Sequence, residues 1–109
     1  MLDHRLLVNP PGGGVVVVEG EVVAVVKGSN LVEQRTEADE VAGDLTFSAP
    51  VAFVEIVNLD TENAGTFTVN GVALLVPPEV IVGPIGVGAT PAAVVEVTGS
   101  TEYIVSRYA

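Results

Sequence analysis

The chain has 109 residues and a mass of 11.1 kDa, room for one hydrophobic core and no second one. Its 24 valines stand against three Phe, two Tyr, one Met and no Trp, and β-branched side chains fit a pleated surface while losing rotamer freedom in helices, so the composition points to an all-β fold. Fourteen carboxylates face four basic residues, Arg5, Lys27, Arg35 and Arg107, too scattered to form a basic stripe; a net charge of -10 repels phosphate backbones and excludes nucleic acid as a partner.

Apolar residues make up 49% of the sequence and mean hydropathy is +0.56, high for a chain this small. Some valines are therefore expected to face another subunit, as in a homo-oligomer; the competing reading is a monomer with a generous Val-rich core. The absence of cysteine excludes a disulfide framework and a thiolate metal site, which fits assembly in the cytosol.

Residues 1–14 read as an extended N-terminal arm and joint. Asn9-Pro10-Pro11 forces extended or turn geometry, and Gly12-Gly13-Gly14 frees the backbone. Leu6, Leu7 and Val8 form too short an apolar run for the core of a signal peptide. A single domain is expected over 15–109. It opens with a hairpin at 15–27, Val15 to Val18 against Glu21 to Val26 around Glu19-Gly20, apolar on both faces and so expected to join the main sheet or a partner's. This window is far too short, and too charged at Glu19 and Glu21, for a membrane span.

Residues 28–44 read as an acidic solvated loop with space for a single helical turn. Glu33, Glu37, Asp39 and Glu40 crowd it, and no apolar stripe of helical period runs through it. The main sandwich is expected over 45–109. Leu45 to Ser48 alternates up to a break at Pro50; Val51 to Val57 and Thr66 to Val69 read as a strand pair closed by Asn70-Gly71, a strong hairpin signal. Val72 to Val76 and Glu79 to Val82 flank Pro77-Pro78, which should end an edge strand or carry the chain between sheets. Gly83 to Gly88 reads as a loop, and Ala93 to Val97 with Glu102 to Arg107 as a last hairpin. About seven short strands from Leu45 onward make a small antiparallel β-sandwich or jelly-roll-like domain.

Catalytic chemistry finds little support. His4, the one histidine, lies in the arm without a rigid partner, and no metalloprotease, paired-cysteine or nucleophile-elbow pattern is present. Asp60-Thr61-Glu62-Asn63 offers oxygens that calcium takes in loops, but it lacks EF-hand spacing and consists of ordinary turn residues. Gly83 to Gly88 lacks the Lys and Ser/Thr of a phosphate loop. Glu55 interrupts an apolar strand, either facing solvent, which is the favoured reading, or pairing with Arg107 or Lys27. The expectation is a protein that is not an enzyme and holds no cofactor or metal.

The run Phe53-Val54-Glu55-Ile56-Val57-Asn58, a polar turn, Thr66 to Gly71, the link Val76-Pro77-Pro78 and the close Val94 to Thr98 then Tyr103 to Ser106 resemble a group of small β-sandwich virion proteins of tailed bacteriophages. The resemblance spans Asp44 to Tyr108 and stops short of Met1 to Gly43. It implies a capsid decoration or cement protein, or a neck or tail accessory, located in the virion and partnered by the major capsid protein or other virion proteins. It carries over no functional residues. The residues themselves nominate Leu6, Leu7, Val8, Val15, Val17, Val23 and Val25 as assembly contacts, since arms and two-faced apolar strands suit addition to a neighbour's sheet. The alternative function is a neck, tail-fibre or host-attachment module that binds a surface glycan through Asn58 to Gly65 and Gly83 to Thr90. Only five aromatics are available to stack on sugars; a small enzyme is the third reading.

Overall fold

The computed structural model describes strands β1 (Leu6–Val8), β2 (Val15–Val17) and β3 (Val23–Val25) and then residues 27–109. Eight further strands follow: β4 (Leu31–Thr36), β5 (Asp44–Val51), β6 (Phe53–Asn58), β7 (Gly65–Val69), β8 (Val72–Val76), β9 (Ile81–Gly86), β10 (Ala92–Thr98) and β11 (Tyr103–Tyr108). The only described helical element is a 3-10 turn at Glu37–Asp39.

The eight strands form two four-stranded antiparallel sheets, ordered β5-β10-β7-β8 and β4-β11-β6-β9. The pairs β7–β8, β6–β9, β5–β10 and β4–β11 are nested, so the chain from β4 onward is one long double-stranded ribbon with its tip at Asn70-Gly71. Wrapping that ribbon on itself adds the pairings β10–β7 and β11–β6 and closes two layers. This is the strand order of a jelly roll. The tip is a two-residue turn joining Val69 to Val72, with φ of 52° at Asn70 and 83° at Gly71, positive values that suit Asn and Gly and match a type I′ hairpin.

The core follows from two-residue alternation. Leu45, Phe47 and Val51 of β5, Val54 and Ile56 of β6, Phe67 and Val69 of β7, Val95 and Val97 of β10, and Tyr103 and Val105 of β11 point between the layers and are buried. Phe67 and Tyr103 meet edge to face with ring centroids 5.3 Å apart. Valine fills most of the remaining space.

Several sequence expectations are corrected. Val51 to Val57 is not one strand: β5 runs through Pro50 to Val51, the chain bends at Ala52, and β6 begins in the other sheet. Pro50 is tolerated because β5 is an edge strand whose pairing with β10 shifts register there, where no ladder N–H is needed. The expected pairs β6–β7 and β10–β11 are likewise not hairpins, because each crosses from one sheet to the other. Gly83 to Gly86 belongs to β9, a strand bulged at Gly83-Pro84, with a cis peptide bond between those two residues. Pro77-Pro78 does carry the chain between sheets, and seven strands do follow from Leu45.

The stretch 28–44 is also more ordered than a solvated loop. β4 lies within it as the edge strand beside β11, and the 3-10 turn is capped reciprocally by Thr36 and Asp39. β4 escapes a pattern search because its buried contacts are ionic. Upstream, β2 and β3 pair as the expected hairpin, from Val15↔Val25 to Val17↔Val23, but β1 adds to β2 and makes a three-stranded sheet separate from the other two. Residues 1–5, 9–14, 18–22 and 26, with His4 and the Gly-rich joint, lie outside the described residues.

Candidate functional site

Each end of the sandwich is tied by one asparagine. At the end where β6, β8 and β10 finish, Asn58 is buried, and its Nδ2 donates to the carbonyls of Asn63, Val76 and Pro77 at 3.0, 3.0 and 3.2 Å. Its Oδ1 accepts from Asp60 N–H at 3.0 Å and from the Ser100 hydroxyl at 2.7 Å. One side chain thus fixes the three crossings β6–β7, β8–β9 and β10–β11. At the other end, Asn70 Nδ2 donates to the carbonyls of Val51 and Val87, both at 2.7 Å, and Oδ1 accepts from Ala92 N–H at 2.8 Å. It joins the hairpin tip to the β5–β6 and β9–β10 connections.

Asp60, considered above as a calcium ligand, is committed to donors. Its oxygens accept the N–H groups of Glu62, Asn63 and Thr101, each at 2.9 Å, and the Thr101 hydroxyl. The Glu62, Thr101 and Asn63 N–H groups outweigh desolvation and hold its carboxyl well below the ordinary carboxylate range. Of the segments the glycan reading would combine, 58–65 lies at the Asn58 end, whereas 83–86 is part of β9 and only 87–90 is loop, at the Asn70 end. Among the described residues there is no pocket and no group of three metal-ligating side chains, and no helix is long and apolar enough to cross a membrane.

What distinguishes the molecule is the contrast between its two flanks. On the β4/β5 flank, Glu33 accepts Arg107 Nε at 2.6 Å, Arg35 at 2.9 Å and the Ser48 N–H at 3.1 and 3.2 Å. Arg35 also donates to the Thr46 carbonyl and lies over the Phe47 ring. The acids of the 3-10 turn are used too: Glu37 accepts Tyr103 N–H, and Glu40 accepts the Tyr103 hydroxyl. Burial, reinforced by Glu40, pushes that phenol well above its ordinary range. Ion pairs line this flank, beside Leu31, Val32 and Val41, which are 51, 46 and 74% exposed.

Burial alone would raise the Glu33 carboxyl, but the bonds from Arg107 and Ser48 prevail and lower it from 4.5 to about 2. A depressed folded-state value means that the stabilisation is complete above pH 4.5 and is lost as pH falls toward about 2. Melting temperature followed against pH should therefore fall across that window in the native chain, and less steeply in Glu33→Gln. Equal slopes would show that Glu33 titrates unperturbed.

The β8/β9 flank is the opposite. From Asn63 to Val95 the sequence carries one charged side chain, Glu79, in a chain where charged residues make up 17%. Here Val72, Leu75, Ile81 and Ile85 are 40, 68, 62 and 37% exposed. The apolar surface continues across the outer face of the β4-β11-β6-β9 sheet, where register aligns Ile81, Val57 and Ile104 in one row and Phe53 with Tyr108 in another. On the two central strands, Phe53, Val57, Ile104 and Tyr108 are only half-buried. Glu55 sits among them opposite Ser106, while Arg107 is engaged by Glu33. Burial, then the charge of Glu55, raises the Tyr108 phenol. The outer face of the other sheet carries Asp44, Glu96 and a series of threonines instead.

The contacts nominated from sequence fall on β1–β3. Register aligns Leu6, Val17 and Val23 in one cross-strand row, Leu7 with Val16 in the next, and Val8, Val15 and Val25 in the one after. The uncharged flank was missed. Its signal, a 33-residue window with a single charge, is visible in sequence, but only strand order shows that the window forms one side of the molecule. Comparison with protein-family models, curated proteins and solved structures finds no match to this chain.

Proposed function

We propose that this chain is a structural subunit of a tailed-bacteriophage virion, a decoration or cement protein that stabilises the head by binding the major capsid protein or its neighbours. The observation that carries the reading is the division of the surface. One flank sets its exposed Leu31, Val32 and Val41 among ion pairs, while the other, with the adjoining sheet face, exposes aliphatic side chains nearly free of charge. Large exposed apolar patches mark protein–protein contacts. An acidic remainder suits an outer surface that must not bind packaged DNA. The resemblance to small virion sandwiches supplies the setting.

The test is compositional. Particles purified from the phage that encodes this chain should contain it at a fixed, near-stoichiometric ratio to the major capsid protein by quantitative mass spectrometry. They should lose thermal stability when it is omitted. Particles that lack the chain would remove the reading.

A further inference from the structure

Four strands form the edges of the two sandwich sheets, and three of them carry features that oppose pairing with another chain. β4 bears Glu33 and Arg35; β5 contains Pro50 at a register shift, with its Ser48 N–H already taken by Glu33; β9 is bulged at Gly83-Pro84. Charges, prolines and bulges are the ordinary means of blunting an edge. β8 has none. Its five residues, Val72-Ala73-Leu74-Leu75-Val76, are all apolar and keep unbroken register with β7 from Val69↔Val72 to Gly65↔Val76.

We propose that β8 pairs with β8 of a second copy, antiparallel about a two-fold axis at Leu74, and so joins two four-stranded sheets into one of eight. This rests on the structural-subunit reading for its purpose and specifies one of its contacts. The backbone geometry sets the register. A two-residue hairpin closes on a hydrogen-bonded pair, so Val72, Leu74 and Val76 bond to β7, and the N–H and C=O groups of Ala73 and Leu75 point to the free edge. With the axis at Leu74, Ala73 of each copy faces Leu75 of the other, and all these groups bond across the interface.

Electrostatics selects a second copy as the occupant. In a chain of net charge -10, like charges oppose most self-contacts, but no ionisable residue lies between Asn63 and Pro78. The edge is about 17 Å long, short of what a standard interface of roughly 1,600 Å² requires, so the dimer should dissociate on dilution. β9 and the outer face around Phe53, Val57 and Ile104 stay free for another virion protein.

The full chain should pass from monomer to dimer by sedimentation between about 1 and 500 μM. Leu75→Lys, at an exposed position, should raise the dissociation constant at least tenfold by placing two lysines at diagonal positions across the axis, about 7–8 Å apart at the backbone, while melting remains cooperative. Ile81→Lys, equally exposed on β9, should not. In a chain without native cysteine, Leu74→Cys should oxidise to a covalent dimer, since the two copies of residue 74 form the closer, non-hydrogen-bonded pair.

A monomer throughout this range, an assembly that Leu75→Lys leaves intact, or a dimer that Leu74→Cys fails to cross-link overturns the pairing. A monomeric chain still present in particles would sink the pairing and spare the structural-subunit reading. A dimer absent from particles would do the reverse.

Discussion

Asn58→Ala should produce one of the largest losses of stability available to a single substitution here. It removes the donor that the carbonyls of Asn63, Val76 and Pro77 share and the acceptor of the Asp60 N–H and the Ser100 hydroxyl, around a side chain that is itself only 1% exposed. Each buried group stripped of its partner costs about 1–3 kcal/mol; because the groups share one site their costs do not add, and a total of about 3–5 kcal/mol is expected. Against a domain stability of about 5–15 kcal/mol this approaches unfolding. Asn58→Asp separates hydrogen bonding from packing. It keeps the shape and the acceptor oxygen but turns the donor into a carboxylate facing three carbonyls, so it should destabilise as much as alanine. Denaturant melts of both variants decide the matter, and a loss below about 1 kcal/mol in either would show that the corner holds without this side chain.

Phe67→Ala should cost a similar amount by a different route. Phe67 is fully buried on β7 and packs edge to face against Tyr103. Removing a buried phenyl ring loses its transfer energy and leaves a cavity, together about 3–5 kcal/mol. The site has limited means of collapse. Gly65 packs under the ring so closely that a Cβ there would lie 2.6 Å from Phe67 Cε1 and 2.8 Å from Ser100 Cβ. Phe67→Leu should recover part of the loss and Gly65→Ala should be destabilising in itself, both read by the same melts. A Phe67→Ala variant as stable as the native chain would mean that the two sheets can close over the void.

The two residues were not equally legible in sequence. Phe67 lies in Thr66-Phe67-Thr68-Val69, where alternation marks an inward position, and its role is readable from the chain. Asn58 looks like the polar end of an apolar strand. Its importance lies in partners 5, 18, 19 and 42 residues away, which no local pattern brings together. Glu33 was read as one of a crowd of solvated acids, and only the approach of Arg107 and Ser48 makes it the clasp of a flank.

The sequence alone determined what depends on local chemistry: an all-β class from its valines, the strands that alternate, the Asn70-Gly71 turn from the positive φ that those residues accept, and a break at Pro77-Pro78 that could end an edge strand or change sheets. Tertiary structure decided what depends on distance along the chain. Consecutive strands with a short polar connection read equally well as a hairpin or as a crossing between layers, and that choice is made by bonds at the far ends of the connection, through Asn58 at one end and Asn70 at the other. The same nesting of strands gathers the nearly uncharged 33-residue window onto one flank and the ion pairs onto the other, because each outer strand of the ribbon pairs with its partner from the opposite end of the fold.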